Sequence, residues 1–221
     1  MKRTLFLFVA VLLVGCAKES APAPETAPSP PAGVQSEKSL PKIVAFGDSL
    51  TAGLGLPAHE TYPALLQERL KQDGYEYEVV NSGVSGDTSA GGVRRIDWAL
   101  DGDVRVLILE LGANDFLRGQ PVPETKKNLS GIIDRAQAKN VKVLLAGMFA
   151  PTSTGREYQE EIFNLFKELS REKNVVLIPF FLEGVAGEET LNQADGIHPN
   201  AAGAKIIAET VYRYLKPMLD S

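Results

Sequence analysis

Five short apolar segments, separated by helical patterns, constrain the fold of this chain more than any other feature of its sequence. Three of them are nearly continuous apolar runs, at residues 104–109 (VRVLIL), 141–145 (VKVLL) and 175–181 (VVLIPFF). Residues 42–46 and 75–80 complete the set of predicted strands. Runs with so little polar alternation are typical of parallel strands that are covered by helices on both faces.

Helical periodicity follows each predicted strand. Apolar residues recur three and four positions apart over residues 89–100, 123–140 and 156–173, and again after Asn200. Strand–helix repeats of this length predict one α/β domain, which we place at residues 42–219. Its expected architecture is a three-layer α/β/α fold around a doubly wound, flavodoxin-like, five-stranded parallel sheet.

The unusual polar clusters of this domain all lie in segments that follow a predicted strand. Ligands of open α/β sheets bind at the carboxyl ends of the strands, so these segments are expected to share one rim of the sheet. In chain order they are 47–50 (GDSL), 82–87 (SGVSGD), 112–115 (GAND), 148–151 (MFAP) and 195–199 (DGIHP).

These segments contain the groups that acyl transfer to water requires. Ser49 lies in the first strand–helix turn, where a hydroxyl is presented at a helix start. The chain has two histidines, and His198 follows Asp195 by three positions with an Asp-Gly turn between them. The pattern therefore favours Ser49 as the nucleophile, His198 as the base and Asp195 as the carboxylate that orients the base.

Simpler interpretations of single residues remain open at this point. A serine in a strand–helix turn often only caps the helix, and His59 stands where a solvated or helix-start role is expected. Asp48, Asp87 and Asp115 are interpreted as hydrogen-bond acceptors that fix loops, because Asp commonly organises turns. Thr at position 51 distinguishes the first turn from the Gly-x-Ser-x-Gly elbow of α/β-hydrolases.

Four ordered blocks resemble the GDSL, or SGNH, hydrolases. They are residues 47–50, Gly86, Asn114 and residues 195–199, and the flanking residues are similar to the bacterial periplasmic acyl-CoA thioesterase/lysophospholipase and arylesterase members. The resemblance extends over residues 42–219 and implies the SGNH hydrolase fold. It also implies hydrolysis of acyl esters or thioesters through an acyl-serine intermediate.

Carried onto this sequence, the family pattern implies a Ser49–His198–Asp195 triad. It further implies that the oxyanion hole consists of the backbone N–H groups of Ser49 and Gly86 and the side-chain amide of Asn114. No cofactor is expected. No metal is expected either, since no cluster of metal-ligating residues is visible in the sequence.

The first sixteen residues predict that the protein is targeted to a membrane. Lys2 and Arg3 precede an apolar run at residues 5–14, which is too short to cross about 30 Å of hydrocarbon. The run ends in Leu-Val-Gly-Cys, which resembles the lipobox of bacterial lipoproteins. We therefore expect a signal peptide at residues 1–15 and lipidation of Cys16, with an ordinary signal peptide as the alternative.

A tether is expected to follow the lipidated cysteine. Residues 16–41 contain six of the fourteen prolines, with much Ala and Ser and no apolar period. The expected product is a bacterial membrane-anchored lipoprotein that faces the periplasm or the cell exterior.

Charge and cysteine content exclude several classes of protein. Lys and Arg number 23 against 28 Asp and Glu, for a formal net charge of −5, which argues against binding of nucleic acid. A single cysteine excludes an intramolecular disulfide and a zinc site built on paired thiolates. The expected partners are a small-molecule acyl ester or thioester and, through the lipid anchor, a membrane.

Two other functions remain as alternatives from the sequence alone. A catalytically silent, flavodoxin-like binding lipoprotein would share the fold, although the Asp48 carboxylate would repel a phosphate at the first turn. An O-acetyl esterase acting on cell-wall polysaccharide would share the catalytic residues. Leu54, Leu56 and Phe149 are candidates for the lining of an acyl pocket near the rim.

Overall fold

Five parallel strands form the middle layer of the computed structural model, which describes residues 39–149 and 154–220. The strands are β1 (Lys42–Gly47), β2 (Glu78–Gly83), β3 (Val104–Glu110), β4 (Lys142–Ala146) and β5 (Val176–Ile178). Their order in the sheet is β2-β1-β3-β4-β5, and every neighbouring pair is parallel. The predicted doubly wound, five-stranded parallel sheet is therefore confirmed.

Helices cover both faces of this sheet. They are α1 (Ser49–Ala52), α2 (Tyr62–Gln72), α3 (Ser89–Ala99), α4 (Ala113–Leu117), α5 (Val122–Ala138), α6 (Arg156–Lys173) and α7 (Ala201–Leu219). Helices α2 and α7 pack against each other in one layer, whereas α3, α5 and α6 pack in sequence in the other. The predicted three-layer α/β/α architecture follows from this arrangement.

The apolar runs form the core because they are buried on both faces. In β3 only Arg105 is exposed, and Leu107, Ile108 and Leu109 are fully buried. The apolar stripe of α6, which includes Phe166, is buried as its helical spacing predicts. Burial of continuous apolar strands between two helical layers supplies the main driving force for folding.

Two predicted strands have different bounds in the structure. The segment predicted at 75–80 forms its strand at Glu78–Gly83, because β2 pairs in register with β1 as far as Gly83. The segment predicted at 175–181 is a strand only over Val176–Ile178. Pro179 follows directly and has no N–H to donate to the ladder, so the pairing ends there.

Several predictions concern residues outside the described ranges. The expected signal peptide at residues 1–15, the lipidated Cys16 and the tether up to residue 38 all belong to this group. Residues 150 and 151 of the loop after β4 lie outside it as well. In the described part of the chain, no helix has both the length and the apolar character needed to cross a membrane.

Candidate active site

Ser49 lies at the carboxyl end of β1, as the first residue of the single-turn helix α1. The N-cap of this helix is Asp48, whose carboxylate accepts a hydrogen bond from the Leu50 N–H. Ser49 therefore does not serve as the cap. Its hydroxyl oxygen lies instead 2.8 Å from Nε2 of His198.

The His198 ring connects Ser49 to a carboxylate. Its Nδ1 lies 2.6 Å from Oδ2 of Asp195, and Asp195 Oδ1 accepts the backbone N–H groups of Ile197 and His198 at 3.0 Å each. Because an ionised carboxylate only accepts hydrogen bonds, Nδ1 carries the proton that faces Asp195. In the neutral ring Nε2 is then free to accept from the Ser49 hydroxyl.

Hydrogen bonds keep the Asp195 carboxylate ionised. The bond from the His198 ring, followed by the two backbone N–H groups, lowers the pKa of Asp195 to about 2. A positive φ of 76° at Gly196 lets the chain turn back between the two side chains. The sequence spacing of three residues thus produces the contact that it predicts.

Ser49, Gly86, Asn114 and His198 all line one cleft of about 640 Å³ at the carboxyl ends of the strands. Gly86 has a positive φ of 79°, a conformation that favours glycine. The Asn114 amide donates one hydrogen bond to Oδ2 of Asp48 at 3.0 Å, which holds the amide in place. An amide nitrogen carries two hydrogens, so a second donor remains for a ligand.

Comparison with known proteins identifies the family of this chain. The GDSL-like Lipase/Acylhydrolase family matches residues 45–206 of this chain. The chain belongs to this family. Esterase TesA of Pseudomonas aeruginosa is 42% identical over 178 residues, which are 80% of this chain and 89% of that protein.

Two further relatives support the assignment to the GDSL family. Thioesterase 1/protease 1/lysophospholipase L1 of Escherichia coli is 35% identical over 179 residues, 80% of this chain and 85% of that protein. The solved structure of the psychrotrophic esterase EstA from Pseudoalteromonas is 32% identical, with a TM-score of 0.77 over 81% of this chain and 99% of that chain. Both the predicted family and its fold are therefore confirmed.

The second histidine of this family member lies away from the cleft. His59 is in a short 3-10 turn at Ala58–Glu60, and its side chain is 81% exposed. Its nearest charged neighbour is Glu60, at 3.8 Å. The solvated role expected for His59 agrees with this position.

The acidic residues beside the site hold loops together. Asp87 pairs with Arg95 at 2.7 Å and accepts the Thr88 N–H. Asp115 accepts hydrogen bonds from the Ser89 N–H and hydroxyl at 2.8 and 2.6 Å, which joins the loop after β3 to the start of α3. These contacts are what the loop-fixing interpretation predicts.

The cleft has apolar walls that the sequence identified only in part. Leu54 and Phe149 line it as expected, and Leu56 lines a small depression that adjoins it and shares Ser49 and His198 with it. Phe180 stacks on Phe149 with ring centroids 4.4 Å apart and also lines the cleft. Sequence patterning missed Phe180 because it belongs to the apolar run that was assigned to β5.

Glu110, the last residue of β3, is a buried residue of the site that sequence reasoning missed. Its carboxyl group accepts hydrogen bonds from the Asp48 backbone N–H at 3.2 Å and the Thr51 hydroxyl at 2.7 Å. The signal in the sequence is an acidic residue that directly follows the apolar run VRVLIL.

Among the described residues, no group of three or more His, Cys, Asp and Glu side chains is arranged to hold a metal ion.

Proposed function

We propose that this GDSL-family protein is a serine hydrolase that cleaves acyl esters and thioesters through an acyl-Ser49 intermediate. One observation carries the proposal: a continuous hydrogen-bonded series from Ser49 Oγ to His198 Nε2 at 2.8 Å and from His198 Nδ1 to Asp195 Oδ2 at 2.6 Å, at the wall of an open cleft. This order of hydroxyl, imidazole and carboxylate is the one that nucleophilic acyl transfer needs.

The first half of the reaction transfers the acyl group to the enzyme. Ser49 Oγ attacks the carbonyl carbon while its proton passes to His198 Nε2, and the carbonyl oxygen becomes an oxyanion. The Ser49 and Gly86 N–H groups and the Asn114 amide donate to that oxyanion. When the intermediate collapses, the alcohol or thiol leaves with the proton from His198.

The second half returns the enzyme to its starting state. A water molecule attacks the acyl-Ser49 carbonyl and gives its proton to His198, and the carboxylic acid leaves as Ser49 regains its hydrogen. Asp195 stays anionic throughout, since its pKa is lowered to about 2 by the hydrogen bond from the His198 ring. Its charge stabilises the imidazolium that forms in both steps.

The lining of the cleft favours substrates with an apolar acyl chain. Apolar side chains from four segments of the chain surround the catalytic groups, among them Leu54, Leu117, Phe149 and Ile197, each of them 46–54% exposed. Asn192, which also lines the cleft, donates its amide hydrogens to the carbonyls of residues 185 and 188. An apolar lining of this kind supports an acyl-ester substrate over an acetylated polysaccharide.

A chain-length series tests this proposal directly. We expect the full chain to hydrolyse octanoyl aryl esters and octanoyl thioesters with a higher kcat/KM than acetyl aryl esters or an acetylated glycan. Ser49→Ala should abolish turnover while the far-ultraviolet circular dichroism stays unchanged, and Ser85→Ala, an exposed serine of the same rim, is the matched control. Undiminished hydrolysis by Ser49→Ala would refute the acyl-enzyme, and a preference for the glycan would favour the O-acetyl esterase alternative.

We further propose that the domain is attached to a bacterial membrane through lipidated Cys16. The basic start, the apolar run at residues 5–14 and the Leu-Val-Gly-Cys sequence support this proposal. The Pro-rich segment at residues 17–41 supports a tether of about 3.1 Å per residue that holds the domain off the membrane surface. The protein would then face the periplasm or the cell exterior.

A further inference from the structure

A buried carboxyl group lies directly beneath the Ser49 turn. Glu110 pairs with Gly47 across β1 and β3, and its side chain is 0% exposed. Its Oε2 accepts from the Asp48 N–H at 3.2 Å and from the Thr51 hydroxyl at 2.7 Å. Asp48 precedes Ser49 by one residue and Thr51 follows it by two, so Glu110 holds the turn on both sides of the nucleophile.

The turn leaves no spare room around this carboxyl group. A Cβ atom at Gly47 would lie 2.1 Å from Thr51 Oγ1 and 2.3 Å from Glu110 Oε2. Both distances are far shorter than a van der Waals contact, so a side chain at position 47 would displace the carboxyl group or the hydroxyl. The glycine therefore permits the close approach of β1 to Glu110.

One oxygen of Glu110 is left without a donor. Oε1 is buried and has no hydrogen-bond partner among residues 39–149 and 154–220. An ionised carboxylate in this position would place a charge in a site where only one of its two oxygens is bonded, which is far more costly than burying a neutral acid. The geometry thus favours the protonated form of Glu110.

The charged and titratable groups around Glu110 do not supply a compensating cation. Arg95 of α3 donates to the Gly47 and Ser82 carbonyls and is paired with Asp87. Among the described residues, the other such groups are the Asp48 carboxylate before α1, Tyr62 of α2, whose hydroxyl lies 3.2 Å from that of Thr51, and His198, which interacts electrostatically with Asp48.

We propose that Glu110 is a positioning residue for Ser49 and that it acts as a neutral carboxylic acid, with Asp48 as the single anion of the pair. The inference rests on the proposed function, because it takes Ser49 as the nucleophile. Asp48 is suited to carry the charge, since its oxygens accept from the Leu50 N–H and from the Asn114 amide. Glu110 thereby fixes the turn that joins the nucleophile to the oxyanion donor.

Burial raises the pKa of both carboxyl groups, and the two groups differ in how far their contacts offset it. Burial, with a further contribution from the Asp48 charge, raises the pKa of Glu110 well above its usual range. Burial also raises the pKa of Asp48, but its hydrogen bonds from Leu50 and Asn114 oppose the effect and leave it at about 6. As pH rises, Asp48 therefore ionises before Glu110, and at neutral pH Asp48 carries the charge of the pair.

The positioning role is tested by kinetics on an octanoyl aryl ester. Glu110→Ala leaves the Asp48 N–H and the Thr51 hydroxyl without their acceptor, so kcat should fall about 10- to 100-fold while KM changes little. Glu110→Gln keeps the acceptor without a charge and should restore most of the lost kcat. An unchanged kcat in Glu110→Ala, or a Glu110→Gln no better than Glu110→Ala, would overturn the proposal.

A second variant covers the case in which Glu110→Ala does not fold. Thr51→Val keeps the shape of the side chain and removes one of the two hydrogen bonds to Glu110, so kcat should fall severalfold at constant KM. Full activity in a folded Thr51→Val variant would refute the positioning role.

The protonation state is tested without substrate, by urea unfolding between pH 5 and pH 8. A carboxyl group whose pKa is raised in the folded state contributes less to the free energy of unfolding as pH rises above the pKa that the group has in the unfolded chain. The unfolding constant of the unchanged chain, relative to that of Glu110→Gln, should therefore rise by up to about tenfold per pH unit. A ratio independent of pH would refute the neutral acid, and Glu78→Gln, an exposed residue at the start of β2, is the control.

The two measurements separate failure of this inference from failure of the proposed function. If Ser49→Ala still hydrolyses the ester, Ser49 is rejected as the nucleophile, whereas a pH-dependent unfolding ratio would still support the neutral form of Glu110. A loss of activity in Ser49→Ala together with a pH-independent unfolding ratio would retain the nucleophile and reject the neutral Glu110.

Discussion

Asp48 connects three parts of the site through one short side chain. One oxygen caps α1 at the Leu50 N–H, and the other accepts the Asn114 amide at 3.0 Å. Its backbone N–H is held by Glu110 at 3.2 Å. The cap therefore orients the proposed nucleophile and the proposed oxyanion donor at the same time.

At the residue scale, Asn114→Ala tests the role of the amide. We expect kcat for an octanoyl aryl ester to fall by about 10² to 10³, the usual cost of one oxyanion donor, with KM nearly constant. A change confined to KM would mean that Asn114 only binds the ground state of the substrate. Asn128→Ala is a suitable control, because Asn128 donates to the Ser89 hydroxyl on α3 and does not line the cleft.

Asp195 has a pKa lowered to about 2, chiefly by the hydrogen bond from the His198 ring, so it remains ionised throughout the pH range of an ordinary assay. Its contribution to stability is present above its unfolded pKa and is lost only as pH falls through about 2. Titration of the Asp195 carboxyl group itself should therefore add no inflection to the pH dependence of kcat above pH 4.

Asp195→Asn should lower kcat by about 10⁴, because an amide can donate to Nδ1 and leave the proton on Nε2, where it blocks transfer from Ser49. Stopped assays between pH 5 and pH 9 measure both the loss and the shape of the profile. A loss of less than tenfold would show that the carboxylate does not set the tautomer of His198.

At the scale of elements, Arg95 of α3 joins the ends of two strands. Its guanidinium donates to the carbonyls of Ser82 in β2 and Gly47 in β1 at 2.6 and 2.8 Å, and it pairs with Asp87. It also lies 3.8 Å from the centre of the Phe46 ring. The rim loops after β1 and β2 are thus held at a fixed distance by one helix.

Arg95→Ala should lower the free energy of unfolding by about 2–4 kcal/mol, since it leaves two carbonyls and a carboxylate of low exposure without their donor. Arg105→Ala is the matched control, because the Arg105–Asp103 pair is 60% and 47% exposed. Exposed pairs contribute about 1 kcal/mol or less. Equal losses in the two variants, measured by urea unfolding, would contradict this assignment.

At the scale of the whole molecule, the order of the strands assembles the site. β1 lies between β2 and β3, so the loops after these three strands converge and bring Ser49, Gly86 and Asn114 to one cleft. His198 comes from the segment between β5 and α7 and reaches Ser49 across 149 positions of sequence. A doubly wound sheet makes this convergence possible because its chain changes direction at β1.

Attachment to the membrane is a separate property of the molecule. Cys16→Ser should move the protein from the membrane fraction to the soluble fraction, because the proposed acyl chains are its anchor and the net charge of −5 offers no basic attraction to lipid. Hydrolysis of an aryl ester per molecule should stay the same. Retention of the variant in the membrane fraction, measured by fractionation and immunoblot, would argue against lipidation.

Local chemistry was sufficient to predict much of this protein. Continuous apolar runs indicate burial on both faces whatever their partners are, so β3 and the sheet class were predictable from the sequence. The three-residue spacing likewise predicts a contact between the Asp195 carboxylate and the His198 ring across one tight turn of the chain. The family blocks then placed Ser49 and Asn114 on the same rim.

Only the tertiary structure decided the features that depend on neighbours distant in sequence. The bounds of β2 follow from its register with β1, Phe180 of the fifth apolar run lines the cleft, and Leu56 lines a small depression that adjoins the cleft at Ser49 and His198. Glu110 is the clearest case, because its burial and its unbonded oxygen arise from packing against a turn about sixty positions earlier. A sequence determines which side chains prefer to be buried, whereas the packing of the whole chain determines which polar group is buried with them.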